Sequence, residues 1–193
     1  SLHAGIQNRN NINLAVQASV IVTNLISYGS DIVDGAKGTD YAQAESYKVE
    51  NILASGDQSI TTDDGKADIT FMWDEAFLYM LADVTDSDVY VAEGKGEQED
   101  SISLTVAKDL TAGKEVKNYC FTAGGKAYGV GLDTSGFSAV KTYTEAEGVY
   151  ADAEITEDGY HIEACITWDA LGFEAAEAQI MAMEAIVNSC SSE

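Results

Sequence analysis

Residues 67–86 read ADITFMWDEAFLYMLADVTD, two apolar runs that meet at an acidic pair. Trp73 closes the first run, Asp74 and Glu75 supply a polar turn, and Phe77 to Val84 returns as a buried strand. Acids at a reversal between runs rich in β-branched and aromatic residues predict a hairpin, because the turn stays in water while the runs bury. Similar punctuation recurs along the chain. Asp64-Gly65 is predicted to turn the chain between an extended segment, 49–62, and the apolar run 69–84. Gly124-Gly125 does the same between 116–121 and 127–132, and Asp158-Gly159 between 149–155 and 160–168. Such dipeptides supply the positive φ that tight hairpin turns need.

Alternation within the runs agrees. Ile102, Leu104 and Val106 oppose Ser101, Ser103 and Thr105, and Tyr160, Ile162, Ala164 and Ile166 oppose His161, Glu163, Cys165 and Thr167. One apolar and one polar or mixed face is the pattern of sheets packed face to face. Near the N-terminus Ile12, Leu14, Val16, Ala18, Val20 and Val22 share one parity and predict a long half-buried strand, with a helix as the competing reading. A short helix is expected at 170–178, and 179–187 reads as extended. The fold class is therefore all-β: an antiparallel sandwich, jelly-roll or immunoglobulin-like, with at most one or two short helices. Residues 1–31 form an N-terminal strand extension that completes its own sheet or is exchanged with a neighbour, and 32–193 form the sandwich domain.

The totals narrow the function. A chain of 193 residues is ample for one two-layer core. No apolar run reaches 18 residues, and Ser1 is not followed by a basic and then an apolar segment, so neither a spanning helix nor a signal peptide is expected within it. Thirty-three acids against ten basic residues give a net charge of -23. Such a surface repels phosphate backbones and anionic headgroups, so nucleic acid and membrane insertion are not expected, and a secreted or cell-surface location is. The chain has no proline, which leaves every strand N–H able to donate. Three cysteines, Cys120, Cys165 and Cys190, fit either one bridge with a free thiol or three buried thiols. With only His3 and His161, a His-rich metal centre and a Ser-His-Asp triad are not expected. No phosphate loop is present, because no Lys-Ser/Thr follows the glycine pairs.

Three segments carry a resemblance: 67–86, the run Glu99-Asp100-Ser101-Ile102-Ser103-Leu104, and 159–171, which reads GYHIEACITWDAL. In this order they resemble family 9 carbohydrate-binding modules over about residues 32–188, with Asp34-Gly35 at the family's opening turn. The resemblance implies a sandwich that binds sugar in a slot between two aromatic rings, and structural calcium in many relatives. The chain departs from that slot. Gly94 to Glu99, where one ring is expected, holds no aromatic; Ser103 replaces the family's glutamate; the C-terminal segment carrying the second ring has no counterpart before Glu193.

The remaining candidates for sugar contact are Tyr119, Tyr128, Tyr143 and Tyr150, with Trp73 and Trp168 as platforms or core residues. Asp86 and Asp88 sit at i and i+2 in a turn, a spacing that suits oxygen ligands to Ca²⁺, and Asp63-Asp64 and Glu99-Asp100 are further acidic pairs. Beyond Ca²⁺ no cofactor is expected. The expected function is a non-catalytic extracellular carbohydrate-binding module whose partner is a polysaccharide or cell-surface glycan. The alternative is a structural subunit of a surface assembly that self-associates by N-terminal strand addition.

Overall fold

The computed structural model describes residues 15–22, 26–53, 64–108, 116–175 and 181–191. Along the chain the strands are β1 (Ala15–Val22), β2 (Ser27–Tyr28), β3 (Ser46–Val49), β4 (Asn51–Leu53), β5 (Lys66–Trp73) and β6 (Phe77–Thr85). They continue as β7 (Ser101–Ala107), β8 (Val116–Thr122), β9 (Ala127–Asp133), β10 (Val140–Thr144), β11 (Val149–Ile155), β12 (Gly159–Thr167) and β13 (Ala182–Cys190). Among the described residues they form two sheets. One runs β10-β9-β8-β7-β13-β1-β4, and the other β11-β12-β6-β5, with β2 and β3 both on the far edge of β5. All pairs are antiparallel except the short β2–β5 pair.

The β5–β6 hairpin forms as expected, and Asp74 is its fastener. One carboxylate oxygen accepts the Ala76 and Phe77 amides, both at 2.8 Å, and the other accepts the Tyr79 hydroxyl at 2.7 Å. Facing side chains of the two sheets meet in one core. Ile69, Phe71, Met80, Tyr160 and Ile162 lie on one side of it, and Ile102, Leu104, Phe121, Met183 and Val187 on the other. Each such side chain contributes about 1.5–3 kcal/mol on leaving water.

The hairpins at Gly124-Gly125 and Asp158-Gly159 also form. Asp64-Gly65 corrects the expectation. The turn precedes β5, but the strand before it, β4, belongs to the other sheet and pairs with β1. Local turn chemistry reverses a chain; it does not decide which sheet receives it. The helix is a second correction. Helix α1 (Trp168–Leu171) is a single turn that begins before residue 170, with the Thr167 hydroxyl accepting the Ala170 amide. Gly172 ends it in the left-handed region at φ 83 and 173–175 do not prolong it, while 176–178 of the expected helix lie outside the described residues. The N-terminal strand is an inner strand of its own sheet, placed between β13 and β4 and paired with β13 from Ala15 to Val22.

The outer face of the six-stranded sheet is covered. Loop residues Val33, Tyr41 and Ala44 pack with Met72, Tyr79, Leu81 and Cys165 in a second apolar cluster. All three cysteines are free and buried.

Candidate functional site

Strands β7, β8, β9 and β10 are consecutive neighbours, so their outward-facing residues gather on one face. The register sets Thr105 opposite Asn118, Ser103 opposite Cys120, Cys120 opposite Tyr128, Val130 opposite Tyr143, and Leu132 opposite Lys141. The loop before β7 folds over this face through Gly94 and Gly96, both at positive φ. A Cβ at Gly96 would run into the Tyr143 ring, so the loop lies directly on that aromatic. The Tyr143 ring meets Tyr128 edge-on at 6.3 Å. Burial, reinforced by the nearby Glu97 carboxylate, drives the Tyr143 hydroxyl well above its ordinary pKa.

The loop delivers Glu97 to the sheet. One of its oxygens accepts Ser103 Oγ at 2.9 Å; the other accepts Lys141 Nζ at 2.6 Å and the Tyr143 hydroxyl at 3.3 Å. The Glu97 side chain is only 10% exposed and that of Lys141 39%. A charge-assisted bond held in a partly dry setting is stronger and better oriented than its counterpart in water. Asn188 ties Ser103 into the network at 2.8 Å, and Thr105 holds the Asn118 carboxamide oxygen at 2.7 Å. Beside this network lies a groove of about 420 Å³ whose apolar walls are Val130, Leu132 and Ile186. It therefore offers charged donor, charged acceptor, amide and hydroxyls together with aliphatic surface.

A second hollow, about 610 Å³, opens among the β5–β6 turn, the β10–β11 connection and α1. Its polar lining is chiefly Glu75, Glu147 and Asp169, with Tyr150 and Trp168 beside them. Trp168 is buried there, and its indole N–H donates to the Asp74 carbonyl at 2.9 Å.

The proposed sugar contacts thus separate. Tyr128 and Tyr143 lie on the groove face. Tyr119 is a core residue stacked on Phe121, although its edge reaches the groove. Tyr150 belongs to the other hollow, 53% exposed and edge-on to Phe77. Trp73 donates its indole N–H to the Ile26 carbonyl at 3.0 Å and meets Trp168 edge-on at 6.5 Å, which makes both tryptophans packing residues. Glu97, Lys141, Asn118 and Leu132 were not legible as a site. A charged pair drawn from a loop and a strand 44 residues apart has no local signature; the only hint was Ser103 standing where a carboxylate is expected.

Most of the acidic side chains singled out for calcium take part in hydrogen bonds within the fold. Asp64 accepts the Ser87 amide and hydroxyl, and Asp86 the Asp88 amide and the Ser189 hydroxyl. Asp100 accepts the Cys190 and Tyr90 amides at 2.7 and 2.8 Å, and one oxygen of Glu99 accepts the Lys95 amide at 3.1 Å. Asp88 is exposed, and Asp63 lies outside the described residues. Among the described residues no three His, Cys, Asp or Glu side chains converge. Burial raises the pKa of Asp86, Glu99 and Asp100, Asp100 most clearly with the Asp86 charge beside it.

A model of the family described as "Carbohydrate family 9 binding domain-like" matches residues 33–193. The chain belongs to that family. Two carbohydrate binding module family 9 structures from Caldicellulosiruptor kristjanssonii share its fold. One, in complex with glucose, superposes with a TM-score of 0.58 at 22% identity, covering 84% of this chain and 83% of that one. The other, with cellotriose, gives 0.55 at 21% identity, covering 84% and 81%. In sequence the domain is 24% identical over 144 residues, 75% of its length, to Exoglucanase XynX of Acetivibrio thermocellus. It is equally similar to Endo-1,4-beta-xylanase A of Thermoanaerobacterium saccharolyticum over the same share. The match spans only 12% and 11% of those two proteins. The family-9 sandwich is therefore present here, with Glu97 reaching Ser103 from the loop before β7.

Proposed function

We propose that this family-9 domain binds a neutral polysaccharide, without catalysis and outside the cell, in the groove of the seven-stranded sheet. The observation that carries the reading is the Glu97–Lys141 pair at 2.6 Å beside a groove of about 420 Å³. Sugar rings present hydroxyls that both donate and accept, together with apolar C–H faces. The groove offers partners for all three, whereas the larger hollow is dominated by carboxylate acceptors. A volume within the roughly 300–1,000 Å³ of small-ligand sites admits a short stretch of chain. The glucose and cellotriose held by the two structural relatives, and the xylanase and exoglucanase that contain matching segments, make β-glucans and xylans the first ligands to try.

The test is calorimetric titration with cellotriose and xylotriose. Lys141→Met should weaken binding tenfold or more, since a hydrogen bond to a charged group is worth about 1.5–3 kcal/mol. Tyr150→Ala, in the other hollow, should leave it unchanged. Loss of binding in Tyr150→Ala with retention in Lys141→Met would transfer the site to the acidic hollow.

A further inference from the structure

The β9–β10 hairpin continues past the groove as an arm. Every residue from 131 to 141 is exposed. Leu132 is 66% exposed, Val140 59% and Phe137, at the tip, 111%, more than in an extended reference peptide. Lone exposed apolar side chains are ordinary on a protein surface, but here three fall within nine residues of one hairpin: Leu132 on the groove face opposite Lys141, Val140 on the other face opposite Asp133, and Phe137 between them at the tip. The arm is a formed hairpin. Five registered pairs join β9 to β10, from Val140 opposite Asp133 to Thr144 opposite Gly129. Asp133 steadies the tip by accepting the Ser135 amide at 2.9 Å and its hydroxyl at 2.6 Å.

We infer that this arm is a second polysaccharide contact, with Phe137 as a stacking platform that engages sugar rings of a neutral chain leaving the groove. The inference rests on the groove being the sugar site. Continuity supports it, because Leu132 and Lys141, opposite each other at the root of the arm, both line the groove. Charge supports it as well. Residues 126–144 hold two lysines and one aspartate, in a chain whose net charge is -23. A nearly neutral, apolar-tipped arm on a strongly anionic body suits an uncharged polymer. Polyanions are repelled by the body, and so is a second copy of the chain. An aromatic face presented on a hairpin also loses little conformational freedom on contact. At about 3.3 Å per strand residue, Phe137 lies no more than about 17 Å from Leu132, so its contribution should emerge only with chains longer than the groove holds.

The experiment compares wild type, Phe137→Ala and Phe137→Trp by cellotriose titration, by depletion from suspensions of insoluble cellulose and of insoluble xylan, and by light scattering. Phe137→Ala should bind cellotriose as wild type does and lose at least fivefold in retention on whichever polymer the wild type prefers. Phe137→Trp should restore that retention. Equal retention of Phe137→Ala and wild type overturns the proposal, as does failure of the wild type to bind either polymer. A wild-type dimer that Phe137→Ala converts to monomer, with retention unchanged, overturns it in favour of self-association. Retention that depends on Phe137 without any cellotriose binding keeps the arm and removes the groove, so the two readings fail separately.

Discussion

A methyl group added at Gly96 would strike the Tyr143 ring, and the backbone there sits at φ 59, where a side chain is strained in any case. Both costs fall on the loop that holds Glu97 against Ser103 and Lys141. Gly96→Ala is therefore expected to lower stability by about 1–3 kcal/mol and to weaken sugar binding as Glu97 moves away. Thermal melting together with cellotriose titration checks it; a variant that melts and binds as wild type does would show that the loop does not position Glu97. Glycine at 96 provides the room for the Tyr143 ring of β10 beneath the loop.

Among the elements, β1 carries the clearest prediction. It pairs with β13 along its whole length and with β4 on its other side, so its removal strips two strands of partners. Deleting residues 1–24 should cause loss of cooperative melting and aggregation through the exposed β13 edge, seen by circular dichroism and size exclusion. A soluble, folded truncation that merely loses the ability to form larger species would point to strand exchange. The elements also show what sequence can convey. The hairpins at Asp74, Gly124-Gly125 and Asp158-Gly159 were legible because each turn is set by residues within it. Asp64-Gly65 was not, since the chain crosses between sheets there and only long-range pairing of β4 with β1 determines that. Helix α1 was misplaced because the Thr167 cap starts it before residue 170 and the left-handed Gly172 ends it after one turn. Of the site, the tyrosines of β8, β9 and β10 and the substitution at Ser103 were legible; the meeting of Glu97 with Lys141 depends on the register of β9 against β10. The Phe137 arm was missed because strand periodicity identifies a strand without indicating that nothing covers it.

For the molecule as a whole, acidity and burial act together. Glu163 lies buried on β12 beneath the Asp34 turn. Burial pushes its carboxyl up to about 7, with the Asp34 and Ala36 amides offsetting part of the shift. Asp86 and Asp100 shift in the same direction. A carboxyl whose folded pKa exceeds its unfolded value holds its proton longer in the fold. The stability it contributes is complete below the unfolded value near pH 4 and is lost as pH rises through the folded value near 7. The protein should thus melt higher at about pH 5 than at about pH 8, and Glu163→Gln should narrow the gap by about 1–3 kcal/mol. Differential scanning calorimetry at both values checks the sign; a melting temperature that rises with pH would refute it.

The three buried thiols act as timers. Burial holds the Cys165 thiol at about 11 and those of Cys120 and Cys190 higher still, so an alkylating reagent finds almost no thiolate until the surrounding layer opens. Cys165 sits under the Val33–Tyr41 cover, whereas the Cys190 thiol reaches the Glu97 carbonyl at 3.7 Å, beneath the groove loop. Labelling rates at the two cysteines would consequently clock separate events, the lifting of the cover on one face and the loosening of the groove loop on the other. A sugar seated in the groove should slow the second clock and leave the first running.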